Sequence, residues 1–186
     1  MANKIMLIRH AEKPDGGPPP RFGVDESGQP NPEELVIRGW QRAGALACLF
    51  SPLAAPGRDH ALATPQAIYA TSATQHHARS RRPQHTVGPL AARLGLTPNI
   101  EFALGQEAAL VEDAKAAAGP VLIAWHHEAA AAIANKIVGD TTTCPQTWPD
   151  DRFDIIWVFD LPAGQTVWNF SQVPQLMLAG DRTTPL

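Results

Sequence analysis

The sequence has only two cysteines, Cys48 and Cys144, in unrelated contexts. They form no metal-ligand spacing, which sets aside a zinc-ribbon scaffold, and their scarcity fits a reducing, cytoplasmic setting. Excess charge of one sign is also lacking. The net charge is -3, which argues against general nucleic-acid or membrane-surface binding, so any anion site must be a local pocket. No run approaches the roughly 20 apolar residues of a membrane span. The first apolar run, Ile5 to Ile8, ends in charge and lacks a signal-peptide pattern. There is no internal repeat. The 186 residues suffice for a full core, and we read 1–186 as a single domain. Proline and glycine, at 18 and 14, are plentiful and point to long, stiffened loops.

The informative stretch is Ile5-Met6-Leu7-Ile8-Arg9-His10-Ala11-Glu12-Lys13-Pro14. It reads as a buried strand that delivers Arg9 and His10 to its C-terminal end, where open α/β sheets bind ligands. Arginine is a fixed-charge fork for phosphate oxygens, and a neutral imidazole nitrogen is a nucleophile. Residues 12–34 then form a Pro/Gly-rich loop, long enough to line or cover such a site.

Helical spacing of Trp40, Ala43, Ala47 and Phe50 predicts a helix over 39–50 that ends at Ser51-Pro52. Residues 67–70 are a short strand. Arg79, Arg81 and Arg82 lead into a helix with Pro83 in its first turn and Gly95 as its stop. That junction places Arg82 at a helix N-terminus, which favours anions. A strand is expected at 100–104 and a helix at 107–118. Val121 to Trp125 is a strong strand signal that delivers His126, His127 and Glu128, and a helix follows over 129–138. Residues 154–160 and 165–170 read as a closing hairpin. The expected fold is α/β: a three-layer αβα sandwich on a mostly parallel sheet with an antiparallel edge. Trp125, Trp148 and Trp157 read as core, with Trp148, in a loop, also open to a substrate contact.

These residues resemble the histidine phosphatase superfamily, with its phosphoglycerate mutase-like fold. Its Arg-His-Gly signature corresponds to Arg9-His10-Ala11, with alanine for glycine. Its Arg-Ala-x-Gln-Thr segment corresponds to Arg82-Pro83-Gln84-His85-Thr86. Its second histidine, which follows a strand, corresponds to His127 or His126. The spacing back from Gly139 favours His126, whereas a subgroup beginning Arg-His-Ala-Glu-Lys-Pro favours His127, the preferred register. The likeness extends through Gly39-Trp40-Gln41-Arg42-Ala43 and residues 154–160.

The resemblance implies a phosphatase that works through a phosphohistidine on His10. Arg9, Arg82 and His127 (or His126) would cradle the phosphoryl oxygens, with no metal and no other cofactor. The partner would be a small phosphorylated substrate, not nucleic acid or membrane. A mutase fits less well, because little insertion exists to enclose a diphosphorylated intermediate. No carboxylate lies between Ile68 and Arg93, so the proton donor would be Glu128, Glu107 or Glu12. Without one, the fold would serve as a non-catalytic phosphate-binding or interaction module. A phosphohistidine protein phosphatase, with an open, shallow site, is a further alternative. Histidines 76, 77, 85, 126 and 127 match no standard zinc spacing.

Overall fold

The computed structural model describes residues 1–16, 22–52, 61–73 and 80–186. Its strands are β1 (Lys4–Arg9), β2 (Ala67–Ala70), β3 (Val121–Trp125), β4 (Ile155–Asp160) and β5 (Asn169–Pro174). Its helices are α1 (Ile37–Phe50), α2 (Arg82–Leu94), α3 (Glu107–Ala116) and α4 (Ala130–Val138), with one 3-10 turn, His127–Ala129, leading into α4. The strands form one sheet in the order β2-β3-β1-β4-β5.

Alternation along each strand builds the two faces. Ile5, Leu7, Ile123 and Trp157 meet Leu110 and Val111 of α3 and Ile133 and Ile137 of α4. Met6, Ile8, Leu122 and Val158 meet Leu46 and Phe50 of α1 and Val87 and Leu90 of α2. The result is the expected three-layer sandwich, since side chains of period 2 feed both faces of a covered sheet.

The sheet is mixed: β1, β2, β3 and β5 point one way and β4, next to the edge, runs against them. β2, β3 and β1 run parallel, whereas β4 is antiparallel to β1 and β5 to β4. β4 is covered on both faces, and such a strand is a continuous apolar run whichever way it points. No strand forms at 100–104. Asn99 makes a single bridge to Tyr69, then its side-chain oxygen takes the N–H of Glu101, a local turn that leads the chain off the sheet edge. β5 begins later than expected, because Asp160 pairs with Asn169 and the intervening turn is longer than a tight hairpin. α2 ends as expected, at a left-handed Gly95.

Gly39 lets α1 lie against the chain just past His10. A β-carbon there would stand 2.5 Å from the Glu12 carbonyl oxygen. Among the described residues, no helix is long and apolar enough to cross a membrane.

Candidate active site

Parallel pairing of β1 with β3 aligns Arg9 with Trp125. The residues that follow, His10 and His126, therefore emerge side by side at one sheet edge. The ladder continues one step further, His10 N donating to the Trp125 carbonyl at 3.0 Å. The imidazole rings lie edge to face with centroids 5.5 Å apart. Because β4 is antiparallel, the 149–154 loop before it reaches the same edge.

His10 is held in one tautomer. Its Nδ1 lies 2.8 Å from the Ala11 carbonyl oxygen, and a carbonyl only accepts, so Nδ1 carries the hydrogen and Nε2 keeps its lone pair. Burial pushes the ring well below its ordinary pKa, and the charges of Arg9, His126 and Arg82 act in the same direction. His10 is therefore a neutral imidazole whose Nε2 carries the lone pair.

Arg9 is 2 % exposed. Its Nη1 donates to the carbonyls of Pro149 and Asp150 at 3.1 and 2.7 Å, and its guanidinium carbon sits 4.0 Å over the Phe153 ring. Burial lowers its pKa to about 10, leaving it cationic at neutral pH. Its Nε and Nη2 are buried with no hydrogen-bond partner among the described residues, as are Nε2 of His126 and Nδ1 of His127. Buried donors are almost always paired, so this edge has the polar complement of an anion.

Arg82 opens α2. Its Nε donates to the Glu34 carbonyl at 3.2 Å and its Nη2 to the Pro32 carbonyl at 2.7 Å. Its charge acts on both His10 and His126. Thr86, one turn on, accepts the Ala11 N–H at 2.8 Å and donates to the Arg82 carbonyl at 2.7 Å.

The two adjacent histidines part company. His126, lowered by burial, faces His10. His127 turns its Nε2 to Asp150 at 2.5 Å, and its Nδ1 lies 2.9 Å from a Glu128 oxygen without making a hydrogen bond to it. Burial, then Arg9, lowers His127, while Glu128 and Asp150 oppose them.

The three candidate carboxylates also differ in place. Glu12 is consumed in a buried ion-pair cluster: Arg42 Nη2 reaches Glu12 at 2.8 Å and Asp181 at 2.7 Å, and Arg38 joins both. Glu107 accepts from the Trp125 indole at 3.2 Å and from Gly105 N at 3.0 Å. Glu128 is more than half exposed, and its charge acts on Arg9 and His126. A cleft of about 840 Å³ opens beside the site, bordered by Lys13, Asp150, Asp151 and Phe153.

Arg81 is exposed. His76, His77 and Arg79 lie outside the described residues. Trp148 is buried against Trp157, with centroids 4.7 Å apart, so it is a core residue and not a substrate contact. Among the described residues, no three His, Cys, Asp or Glu side chains group to hold a metal ion. Phe153, Asp150 and Glu34 carried no motif signal, whereas Thr86 stood in the quoted Arg82 segment.

No protein-family model matches the sequence, and no curated protein is significantly similar to it. Solved structures do match over most of their length. A mycobacterial glucosyl-3-phosphoglycerate phosphatase aligns with TM-score 0.57 at 13% identity, covering 91% of this chain and 97% of that one. A mutant phosphoserine phosphatase of Entamoeba histolytica, in complex with phosphoserine, gives 0.55 at 13%, covering 92% and 95%. The putative phosphohistidine phosphatase SixA of Agrobacterium tumefaciens gives 0.51 at 15%, covering 91% and 96%. The chain thus has the fold of these solved phosphatases.

Proposed function

We propose that this protein is a metal-independent phosphatase that hydrolyses a phosphomonoester through a phosphohistidine on His10. One observation carries the reading: a neutral His10 with its lone pair on Nε2 stands beside buried nitrogens of Arg9 and His126 that have no hydrogen-bond partner among the described residues. Several solved structures with this fold are phosphatases, which supports the same class of reaction.

His10 Nε2 attacks phosphorus in line with the ester oxygen, forming a P–N bond as the P–O bond breaks. Arg9, Arg82 and His126 hold the three non-bridging oxygens; fixed donors stabilise the charge they carry in the transition state. His126 rather than His127 takes this part, because it is the histidine whose ring faces His10. Glu128 supplies the proton for the leaving oxygen, since Glu12 and Glu107 are held elsewhere. Water then displaces His10 from phosphorus and releases inorganic phosphate.

The test is hydrolysis of p-nitrophenyl phosphate with EDTA present. Its acidic leaving group needs little proton donation, so the assay reads the nucleophile and pocket. Wild type should turn over, His10→Ala should not, and Arg82→Ala should lose on the order of 10²-fold. Wild-type rates in His10→Ala, or loss of turnover on adding EDTA, would overturn the mechanism.

A further inference from the structure

Arg82 and His85 are three residues apart on α2, hence on one helix face, and both are bound by Glu34. Its carbonyl accepts from Arg82 Nε at 3.2 Å, and its carboxylate lies 2.5 Å from His85 Nδ1. Glu34 and His85 are 5 % and 8 % exposed. The outer side of His85 stacks on Trp40 of α1 with centroids 5.2 Å apart, and the Trp40 indole donates to the Val24 carbonyl at 2.9 Å. Glu26 approaches His85 Nε2 at 3.5 Å.

The loop is shaped to hold the Glu34 carbonyl in place. Val24 N donates to the Leu35 carbonyl at 2.8 Å, and Val36 N donates to the Glu12 carbonyl at 3.1 Å. Gly23 packs so closely that a β-carbon would stand 2.6 Å from the Glu34 carbonyl oxygen and 2.2 Å from that of Asn31.

We propose that Glu34 and His85 are positioning residues for phosphate recognition: the carboxylate–imidazole bond fixes the 31–36 loop, whose carbonyls aim the Arg82 guanidinium at the phosphoryl group. The proposal rests on Arg82 as a phosphate ligand, the reading given above. A carboxylate–imidazole pair that only stabilised the fold would be indifferent to the presence of Arg82. A pair that acts through Arg82 loses its effect when Arg82 is gone.

The experiment is a double-mutant cycle read by direct binding of orthovanadate in calorimetry, with thermal unfolding of each variant alongside. Glu34→Ala should weaken binding about tenfold, within the range for coupled neighbours. Glu34→Gln, which keeps an oxygen for His85, should stay within about threefold of wild type. His85→Phe keeps the stack on Trp40 and lacks the Nδ1 hydrogen, so it should match Glu34→Ala and covers the case in which that variant does not fold. In an Arg82→Ala background, adding Glu34→Ala should change binding by less than about twofold. Losses that multiply independently, or wild-type affinity in Glu34→Ala, overturn the positioning role and leave the phosphate pocket standing. Failure of wild type to bind orthovanadate overturns both.

Discussion

The hydroxyl of Thr86 accepts the backbone N–H of Ala11 at 2.8 Å. Ala11 is also the residue whose carbonyl holds Nδ1 of His10, so α2 fixes the residue that selects the His10 tautomer. Thr86→Val keeps the shape and removes the acceptor. It should lower kcat on p-nitrophenyl phosphate by about tenfold and stability by about 1–3 kcal/mol, the effect of stranding a buried N–H. Thr86→Ser should restore both. Steady-state kinetics and urea denaturation measure them.

His126 and His127 should separate cleanly. His126→Ala removes a buried donor beside His10 and should reduce kcat by on the order of 10²-fold. His127→Ala removes a ring that faces Asp150 and Glu128 and should reduce it by less than about tenfold. Reversed magnitudes would assign the phosphate contact to His127.

Stability should fall in acid for a specific reason. His10 and His126 are held below their ordinary value of 6.5 by burial, so they stay neutral in the fold while the unfolded chain takes up protons. Stability is then full above about 6.5 and declines as pH falls below it, by up to about 1.4 kcal/mol per pH unit for each group. Melting temperatures between about pH 7 and pH 5 should drop less steeply in His10→Asn than in wild type. For the same reason, the acid limb of kcat/KM should lie below the usual histidine range.

Arg42→Met should be strongly destabilising. It strands the carboxylates of Glu12 and Asp181, with Arg38 as their remaining cation. Breaking a buried pair in this way removes about 3–5 kcal/mol, and Arg38 places the expected value near the lower end. The urea midpoint at constant slope is the measurement.

Much of the candidate site can be read in the sequence because it lies in short local segments. An apolar run ending in Arg9-His10, a second delivering His126-His127, and a proline-started helix at Arg82 each carry their own signal, but the register read from the sequence prefers His127 whereas it is the His126 ring that faces His10. What was not legible depends on distant partners. Glu12 read as a neighbour of His10, yet its carboxylate belongs to Arg42, 30 residues on. The bond from Glu34 to His85 spans 51 residues, and nothing local to either residue announces it. The direction of β4 was hidden for a related reason: burial on both faces erases the alternation that marks a half-exposed antiparallel strand.

The place of β1 in the sheet governs how the molecule comes into being. It precedes its neighbours β3 and β4 in the chain, yet Ile5 pairs with Val121 on one side and Phe159 on the other. Throughout translation up to those residues, an apolar strand waits without neighbours. Such long-range pairings slow folding and leave the nascent chain dependent on protection from aggregation. Fragments ending before Pro149 would keep Arg9 and His10 but not the Pro149 and Asp150 carbonyls that seat Arg9. The seat of Arg9 is therefore completed late, when β4 closes on β1.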